Sequence, residues 1–242
     1  MFWDKIVEYF NTHFYRTGKN TEPVVTPSIP KTTIKWKNDI VILLDNGHAQ
    51  TTAGKYSPKF EDGTRFYEYK FNRDIVRRIA DGLDKLNIKY HILVPEIIND
   101  IPLTTRAARA NSYASTYGKD KCFLISIHAN AFGNGEKWNN ARGWSVYTTK
   151  GKTKSDEYAT IVFNEAERLL PQYGMTLRKD MGDGDPDYEE NFTILYKTTM
   201  PAILTENLFF TNLTDVDFLM SEEGKDVIAK IHINAIKTIC SL

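Results

Sequence analysis

The stretch IVILLDNGH, residues 40–48, decides the fold because a short apolar run passes directly into polar and small residues. Two further stretches repeat this arrangement: FLISIHAN at 123–130 and AILTEN at 202–207. Short apolar runs bounded by turn-forming residues are typical of buried parallel strands. In open α/β sheets, ligands bind at the carboxyl ends of such strands. We therefore expect His48, His128 and Glu206 to meet at one edge of a single sheet.

Helical patterns alternate with these strands along the chain. The expected strands cover residues 40–44, 90–94, 123–127, 144–149, 192–196 and 202–205, and the expected helices cover about 67–86, 105–117, 155–170 and 221–240. Ser155 or Asp156 is expected to cap the third helix, and Ser221 the last one. This alternation predicts an α/β fold: a single domain with a mostly parallel twisted sheet flanked by helices.

Residues 1–33 differ in composition from the strands and helices that follow them. Residues 2–15 place aromatic and aliphatic side chains at helical spacing, and residues 18–33 are rich in Pro and Thr, as linkers are. We therefore predict an N-terminal amphipathic helix and linker over 1–33 and a folded catalytic domain over 34–242. The helix is expected to pack on its own domain or to dock on a partner, because its balanced charge disfavours a membrane surface.

Composition excludes several classes of function. The 242 residues carry 31 Lys and Arg against 31 Asp and Glu, so no net charge favours nucleic acid or anionic lipid. No apolar run is long enough for a transmembrane helix, and charged residues such as Asp4 and Lys5 interrupt any secretory signal. The two cysteines, Cys122 and Cys240, lie in apolar patterns and predict buried free thiols.

The polar residues at the strand ends suit a zinc hydrolase. Such enzymes often hold the metal with two His and one Glu and leave one position for water, whose pKa falls toward ~7. His48 and His128 supply the imidazoles, and Glu68 is the best third ligand because it opens the helix that follows the first strand. Singly, each residue could be structural, but their convergence favours one zinc per chain. Glu206 then remains as general base and later acid.

Five segments, in chain order, carry a resemblance to a known family. They are IVILLDNGH at 40–48, EYKFN at 68–72, RAARAN at 106–111, SIHAN at 126–130 and MPAILTENLFFTN at 200–212. Together they resemble the motifs of the zinc-dependent N-acetylmuramoyl-L-alanine amidases of the amidase type 3 family. The resemblance implies His48, Glu68 and His128 as zinc ligands and Glu206 as the catalytic carboxylate, which agrees with the assignment above.

The chain departs from the family pattern at a few positions around these motifs. Asn46 replaces a small residue or proline, Ala49 and Gln50 replace a glycine, and Leu208 stands where the family often has glycine. None of these changes removes an expected ligand or the expected base. They concern the shape of the substrate groove.

The expected function is that of a peptidoglycan hydrolase, which cleaves the amide bond between N-acetylmuramic acid and L-alanine with a zinc-activated water. Asn130, next to His128, is a candidate for substrate contact. Two alternatives stay open: a catalytically weak peptidoglycan-binding module of amidase-like fold, and another zinc-dependent peptidase or amidohydrolase. An amidase of this kind would act on the cell wall, in the periplasm or outside the cell, and a phage or prophage lysin would fit the missing signal.

The acidic loop 180–190 is the other feature of interest. Asp183, Asp185 and Asp187 alternate as at the start of a calcium-binding loop, but Tyr188 and Ile194 stand where glycine and a bidentate Glu are needed. A solvated loop is the simplest expectation, and contact with a cation or substrate remains an alternative.

Overall fold

A six-stranded sheet forms the centre of the computed structural model, which describes residues 35–242. The strands are β1 Val41–Asn46, β2 Tyr90–Ile92, β3 Cys122–Asn130, β4 Ser145–Thr148, β5 Tyr188–Glu189 and β6 Ala202–Phe209. Their order is β2-β1-β3-β6-β4-β5. All neighbouring pairs are parallel except β4 with β6, which is antiparallel. The prediction of a mostly parallel sheet is therefore confirmed.

Helices cover both faces of this sheet. They are α1 Glu68–Leu86, α2 Leu103–Tyr117, α3 Lys154–Leu169, α4 Thr193–Tyr196, α5 Leu213–Met220 and α6 Glu222–Ser241. Alternate residues of β1 face opposite layers, as the pleat of a strand requires. Ile42 and Leu44 pack with α1, α3 and α6, whereas Val41 and Leu43 pack with α2 and α4. The α/β prediction thus holds for both layers.

The register of the three central strands positions the site. β3 lies between β1 and β6 and runs parallel to both, so that Asn46 is level with Ile127 and His128 is level with Glu206. Because parallel strands end at the same edge of a sheet, the residues that follow each apolar run are brought to one place.

The strand expected over 192–196 is wrong: residues Thr193–Tyr196 form the short helix α4. Ile194 and Leu195 are both buried in the layer that contains α2. Adjacent residues of a strand would point to opposite faces, whereas one helical turn lets both face the same layer. A four-residue apolar run cannot distinguish these cases by periodicity.

The cap of α3 and the presence of α5 also differ from expectation. Thr153, not Ser155 or Asp156, caps α3: its side chain accepts from the Ser155 N–H, while the Asp156 carboxylate accepts from the Thr153 N–H in a capping box. The helix α5 was not expected, and Asn212 caps it by accepting from the Asp215 N–H at 3.2 Å. Ser221 caps α6 as expected, with its hydroxyl accepting from the Gly224 N–H.

Three further expectations concern the two cysteines, membrane-spanning helices and the segment 1–33. Cys122 and Cys240 are free and buried, as predicted. Between residues 35 and 242, no helix combines the length and the apolar character that crossing a bilayer requires. The amphipathic helix and linker expected over 1–33 lie outside the described residues.

Candidate active site

His48 follows the end of β1 in an unusual backbone conformation. Its φ is +62°, in the left-handed region that side chains with a Cβ rarely adopt. The guanidinium of Arg73 donates to the His48 carbonyl at 2.9 Å, and the hydroxyl of Thr52 accepts from the N–H of Ala49 at 2.9 Å. These contacts hold the turn that directs the imidazole toward α1.

Glu68 is the first residue of α1 and is almost fully buried, with 1% of its surface exposed. Its Oε1 accepts from the N–H of Ala129 at 3.2 Å and lies 3.0 Å from Nδ1 of His128. Its Oε2 lies 3.4 Å from Nε2 of His48 and has no hydrogen-bond partner among the described residues. Each carboxylate oxygen therefore faces one imidazole.

The three side chains have the geometry of a metal site. One potential ligand atom from each of His48, Glu68 and His128 lies within 4.8 Å of the others. The nitrogen of each imidazole lies 3.0 or 3.4 Å from a different oxygen of Glu68, which is within reach of one ion whose ligands are about 2.1 Å away. Two imidazoles and a carboxylate whose buried Oε2 has no hydrogen-bond partner suit zinc. The residues present therefore fit the metal.

Burial and mutual charge shift the protonation of these groups. Burial lowers the pKa of His48 to about 4, against the opposing charge of Glu68. Burial alone would raise the pKa of Glu68, but the hydrogen bond with His128 and the charge that each imidazole carries when protonated hold it low. Burial would lower the pKa of His128, and its contact with Glu68 raises it instead. The site thus favours an ionised carboxylate between the imidazoles, as metal binding requires.

Gly47, directly after β1, allows the His128 ring to lie against its backbone. A Cβ at this position would lie only 2.2 Å from Cε1 of His128. The Gly47 N–H donates to the Ile127 carbonyl at 3.0 Å, and Asn72 donates to the Gly47 carbonyl at 3.0 Å. Glycine in the Gly-His pair is therefore needed for space, because the imidazole occupies the volume of a side chain.

Glu206 lies in β6, level with His128 of the neighbouring strand. It is half-buried, and its Oε2 is a buried atom without a hydrogen-bond partner in the described part of the chain. Burial raises the pKa of Glu206 to about 7, and the negative charge of Glu68 adds to this effect while His128 opposes it. The structure thus brings the expected base beside the three expected ligands.

Asn130 ends β3, two residues after His128. Its side-chain oxygen accepts from the N–H of Ala131 at 2.8 Å, and its carbonyl accepts from the N–H of Phe210 at 2.8 Å. It is half-buried. The oxygen is therefore occupied locally, whereas the amide group is the part available for a ligand.

The buried Arg106 binds the end of β1, just before the turn at His48. Arg106 donates through Nη1 to Asp45 Oδ1 at 3.0 Å and to the Asn46 carbonyl at 2.8 Å, and through Nη2 to Asp100 at 2.7 Å. Ser126 donates to the other oxygen of Asp45 at 2.6 Å. The RAARAN motif drew attention to Arg106 in the sequence, but no sequence signal indicated Arg73, which contacts His48 directly.

The two residues that flank Glu206, Thr205 and Asn207, form hydrogen bonds with neighbouring elements. Asn207 donates to the His128 carbonyl at 2.8 Å and accepts from the indole N–H of Trp144 at 2.7 Å. Thr205 lies 3.0 Å from Nε2 of the fully buried His232, whose Nδ1 donates to the Ile228 carbonyl. Since Nδ1 carries the proton, Nε2 accepts from the threonine hydroxyl. These contacts fix the strand segment that carries Glu206.

A cavity of about 400 Å³ opens beside His48 and His128. Ile101, Pro102 and Leu103 form its apolar wall, and Asp100 adds a polar edge. The cluster therefore borders a space in which a ligand with apolar groups could lie next to the imidazoles.

Comparisons with known proteins identify the family of this chain. Residues 42–238 match the family model described as N-acetylmuramoyl-L-alanine amidase. The chain is 24% identical over 206 residues to an endolysin of Bacillus phage SPP1, covering 84% of this chain and 66% of that protein. It is 30% identical over 137 residues to the N-acetylmuramoyl-L-alanine amidase CwlM of Bacillus licheniformis, covering 56% of this chain and 45% of that protein.

Solved structures show the same fold. The N-acetylmuramoyl-L-alanine amidase of Clostridium difficile 630 aligns with a TM-score of 0.65 at 25% identity, covering 83% of this chain and 96% of that one. The family match begins in β1 and ends in α6, so it includes every residue of the cluster.

Proposed function

The chain belongs to the N-acetylmuramoyl-L-alanine amidase family, and on that premise we propose that it hydrolyses the amide bond between N-acetylmuramic acid and L-alanine in peptidoglycan. One observation carries the proposal: two imidazoles, a buried carboxylate and a second carboxylate meet at the carboxyl edge of β1, β3 and β6. The chain spans 66% and 45% of the length of the two curated relatives named above. The activity and the substrate of the whole relatives are therefore proposals for this chain.

We assign His48, Glu68 and His128 as the ligands of one zinc ion per chain. When bound there, zinc would lower the pKa of a water molecule and polarise the scissile carbonyl. The Ala129 N–H and the Asn72 amide orient Glu68 through its Oε1. Such outer contacts fix the orientation of a ligand and tune its affinity.

Glu206 is the proton carrier in this proposal. Its buried Oε2 takes a proton from the attacking water and then gives it to the amine of L-alanine as the C–N bond breaks. The lactyl carbonyl of muramic acid gains the water oxygen and leaves as a carboxylic acid. A carboxylate whose burial raises its pKa suits both halves of this transfer.

Substrate contacts follow from the surroundings of the cluster. The apolar wall at Ile101, Pro102 and Leu103 suits the methyl groups of the lactyl and alanine units. The Asn130 amide, at the end of β3, is proposed to donate to a carbonyl of the substrate. The proposed place of action is the cell wall, as for a lysin, because the relatives include a phage endolysin.

Product analysis tests this function directly. Purified protein with zinc should release L-alanine amino groups from peptidoglycan without new reducing sugars, since no pair of glycosidase carboxylates is assigned. Glu206→Gln should retain zinc and lose ~10²–10⁴-fold in rate, whereas the exposed Glu136→Gln should match the wild type. Binding to walls without release of amines would favour the binding-module alternative, and new carboxyl-terminal cleavage of stem peptides would favour a peptidase.

We also propose that residues 34–242 form the catalytic domain. The described part of the chain contains every residue assigned above, and none precedes His48. Deleting residues 1–33 should leave a folded protein that binds zinc and cleaves a small soluble muropeptide. A truncated chain that fails to fold would place the boundary elsewhere.

A further inference from the structure

A second cluster of carboxylates lies at the end of β4, away from the zinc-ligand candidates. β4 runs antiparallel to β6, so Thr148 at its end is displaced from Ser145, the residue that pairs with Glu206. The loop before β5 brings Asp185 and Asp187 to this end of the sheet, and the first turn of α3 adds Asp156. Three segments distant in sequence therefore converge here.

These carboxylates are withdrawn from solvent to different extents. Asp187 is 2% exposed and Asp156 is 6% exposed, while Asp185 is half-buried. One oxygen of Asp187 accepts from the Thr148 hydroxyl. The other, Oδ1, and Oδ1 of Asp185 are buried atoms that receive no hydrogen bond from an N–H or hydroxyl group within residues 35–242. Two buried acceptor atoms without donors point to a missing electropositive group.

No basic side chain of the described residues neutralises this cluster. Asp156, Asp185 and Asp187 take part in none of the ion pairs found between residues 35 and 242. Burial raises the pKa of Asp187 to about 7, and the Asp185 carboxyl adds to the rise through a hydrogen bond and through its charge, so that a proton or a bound cation must compensate the pair. Burial likewise raises the pKa of Asp156, with Asp185 and Glu189 adding to it. Unpaired buried charge is costly unless it is compensated.

We propose that Asp185 and Asp187 form the core of a divalent-cation site of the calcium type, with the Asp156 carboxylate and the Thr148 hydroxyl beside them. All candidate donors are oxygen atoms, which hard cations such as Ca²⁺ prefer over the nitrogen and sulfur donors suited to zinc. Waters complete the coordination, because Ca²⁺ takes six to eight ligands in flexible geometry.

The site would fasten the loop to the sheet. The N–H of Asp180 donates to the Pro186 carbonyl at 3.3 Å, which closes the loop upon itself, and the N–H of Glu190 donates to the Thr148 carbonyl at 2.9 Å. Few other contacts hold residues 181–184, which are exposed. A cation bridging Asp185 and Asp187 would convert a repulsive pair into a link between the loop and β4.

Terbium luminescence with the full zinc-loaded chain tests the proposal. Tb³⁺ substitutes for Ca²⁺, and Tyr188 follows Asp187 directly with its ring 5.3 Å from that of Tyr147, so excitation of these rings should sensitise a bound ion. Ca²⁺ should displace Tb³⁺ and raise the Tm. When the Ca²⁺ concentration is about thirty times the dissociation constant, mass action predicts that the Tm rises by roughly 4–8 °C for a domain of this size.

Variants decide whether this cluster is responsible. Asp187→Asn and Asp185→Asn should lose both the luminescence and the calcium-dependent Tm rise, whereas Asp183→Asn, exposed in the same loop, should retain both. Asp185→Asn, at a half-buried position, provides the test if Asp187→Asn does not fold. No luminescence in the wild type would overturn the proposal, and equal signals in the wild type and Asp185→Asn would overturn it by indicating an adventitious ion only.

Discussion

Replacing Arg106 with methionine should destabilise the protein strongly, because the guanidinium is buried and its partner Asp45 cannot reach water. Arg106 is 1% exposed, and its Nη1 donates to Asp45, which is itself 1% exposed. Methionine keeps the apolar stem but leaves Asp45 with the Ser126 hydroxyl as its remaining side-chain donor. Breaking one side of a buried ion pair costs about 3–5 kcal/mol. At roughly 2–4 °C per kcal/mol for a domain of this size, the Tm should fall by about 6–20 °C.

Urea unfolding at a fixed zinc concentration measures this loss, with Arg109→Met as the matched control. Arg109 lies one turn further along α2 and pairs with Glu96, but both side chains are about one-third exposed. Exposed pairs contribute about 0–1 kcal/mol, so the control should change little. Adding Asp45→Asn to Arg106→Met should restore part of the stability. A loss below about 1 kcal/mol for Arg106→Met would refute the argument that this pair is desolvated.

Three further predictions follow from local geometry. Leu208 is buried with a φ of +67°, so the free energy of unfolding measured with urea should be about 1 kcal/mol greater for Leu208→Gly than for Leu208→Ala. A greater stability of Leu208→Ala would contradict a strained backbone. Burial lowers the pKa of His232 to about 4, below the unfolded value of about 6.5. The unfolded state therefore binds the proton first, and stability should fall by up to about 3 kcal/mol as the pH drops from 6.5 to 4. His232→Gln should reduce this pH dependence, and an unchanged slope would assign it to other groups. Gly47→Ala should displace His128 and weaken zinc binding about 10–100-fold or more in a chelator competition, and unchanged affinity would show that the ring can move at no cost.

The sequence was sufficient to predict the central strands and the residues that meet at their ends. Apolar runs such as 40–44 and 123–127 are long enough, and sharply enough bounded, to indicate buried parallel strands. A parallel sheet then brings their carboxyl ends together whatever the intervening loops do. The convergence of His48, His128 and Glu206 needed only this topology, and Glu68 joins them because the helix that follows the first strand begins at the same edge.

The features that the sequence did not predict depend on tertiary contacts. Residues 192–196 have the composition of a strand, but the neighbouring layer places Ile194 and Leu195 on one side. The left-handed conformation of His48 is held by Arg73, a residue of α1 that no local pattern connects with β1. Similarly, the family glycine at the position of Leu208 indicated a departure, but only the backbone shows that a left-handed φ is the reason.

The pairing of β3 with β6 has a consequence for how the protein folds. Leu124 lies level with Ala202. The last described helix, α6, packs against the first, α1, although the two are far apart in the sequence. Contacts between residues so distant in sequence form slowly, because the loop-closure entropy must be overcome before the contact energy is gained. A nascent chain that has not yet emerged beyond β6 lacks the strand that carries Glu206. Glu206 therefore cannot lie beside His128 until β6 has been synthesised and has paired with β3, so the proposed proton-transfer site is completed late in folding.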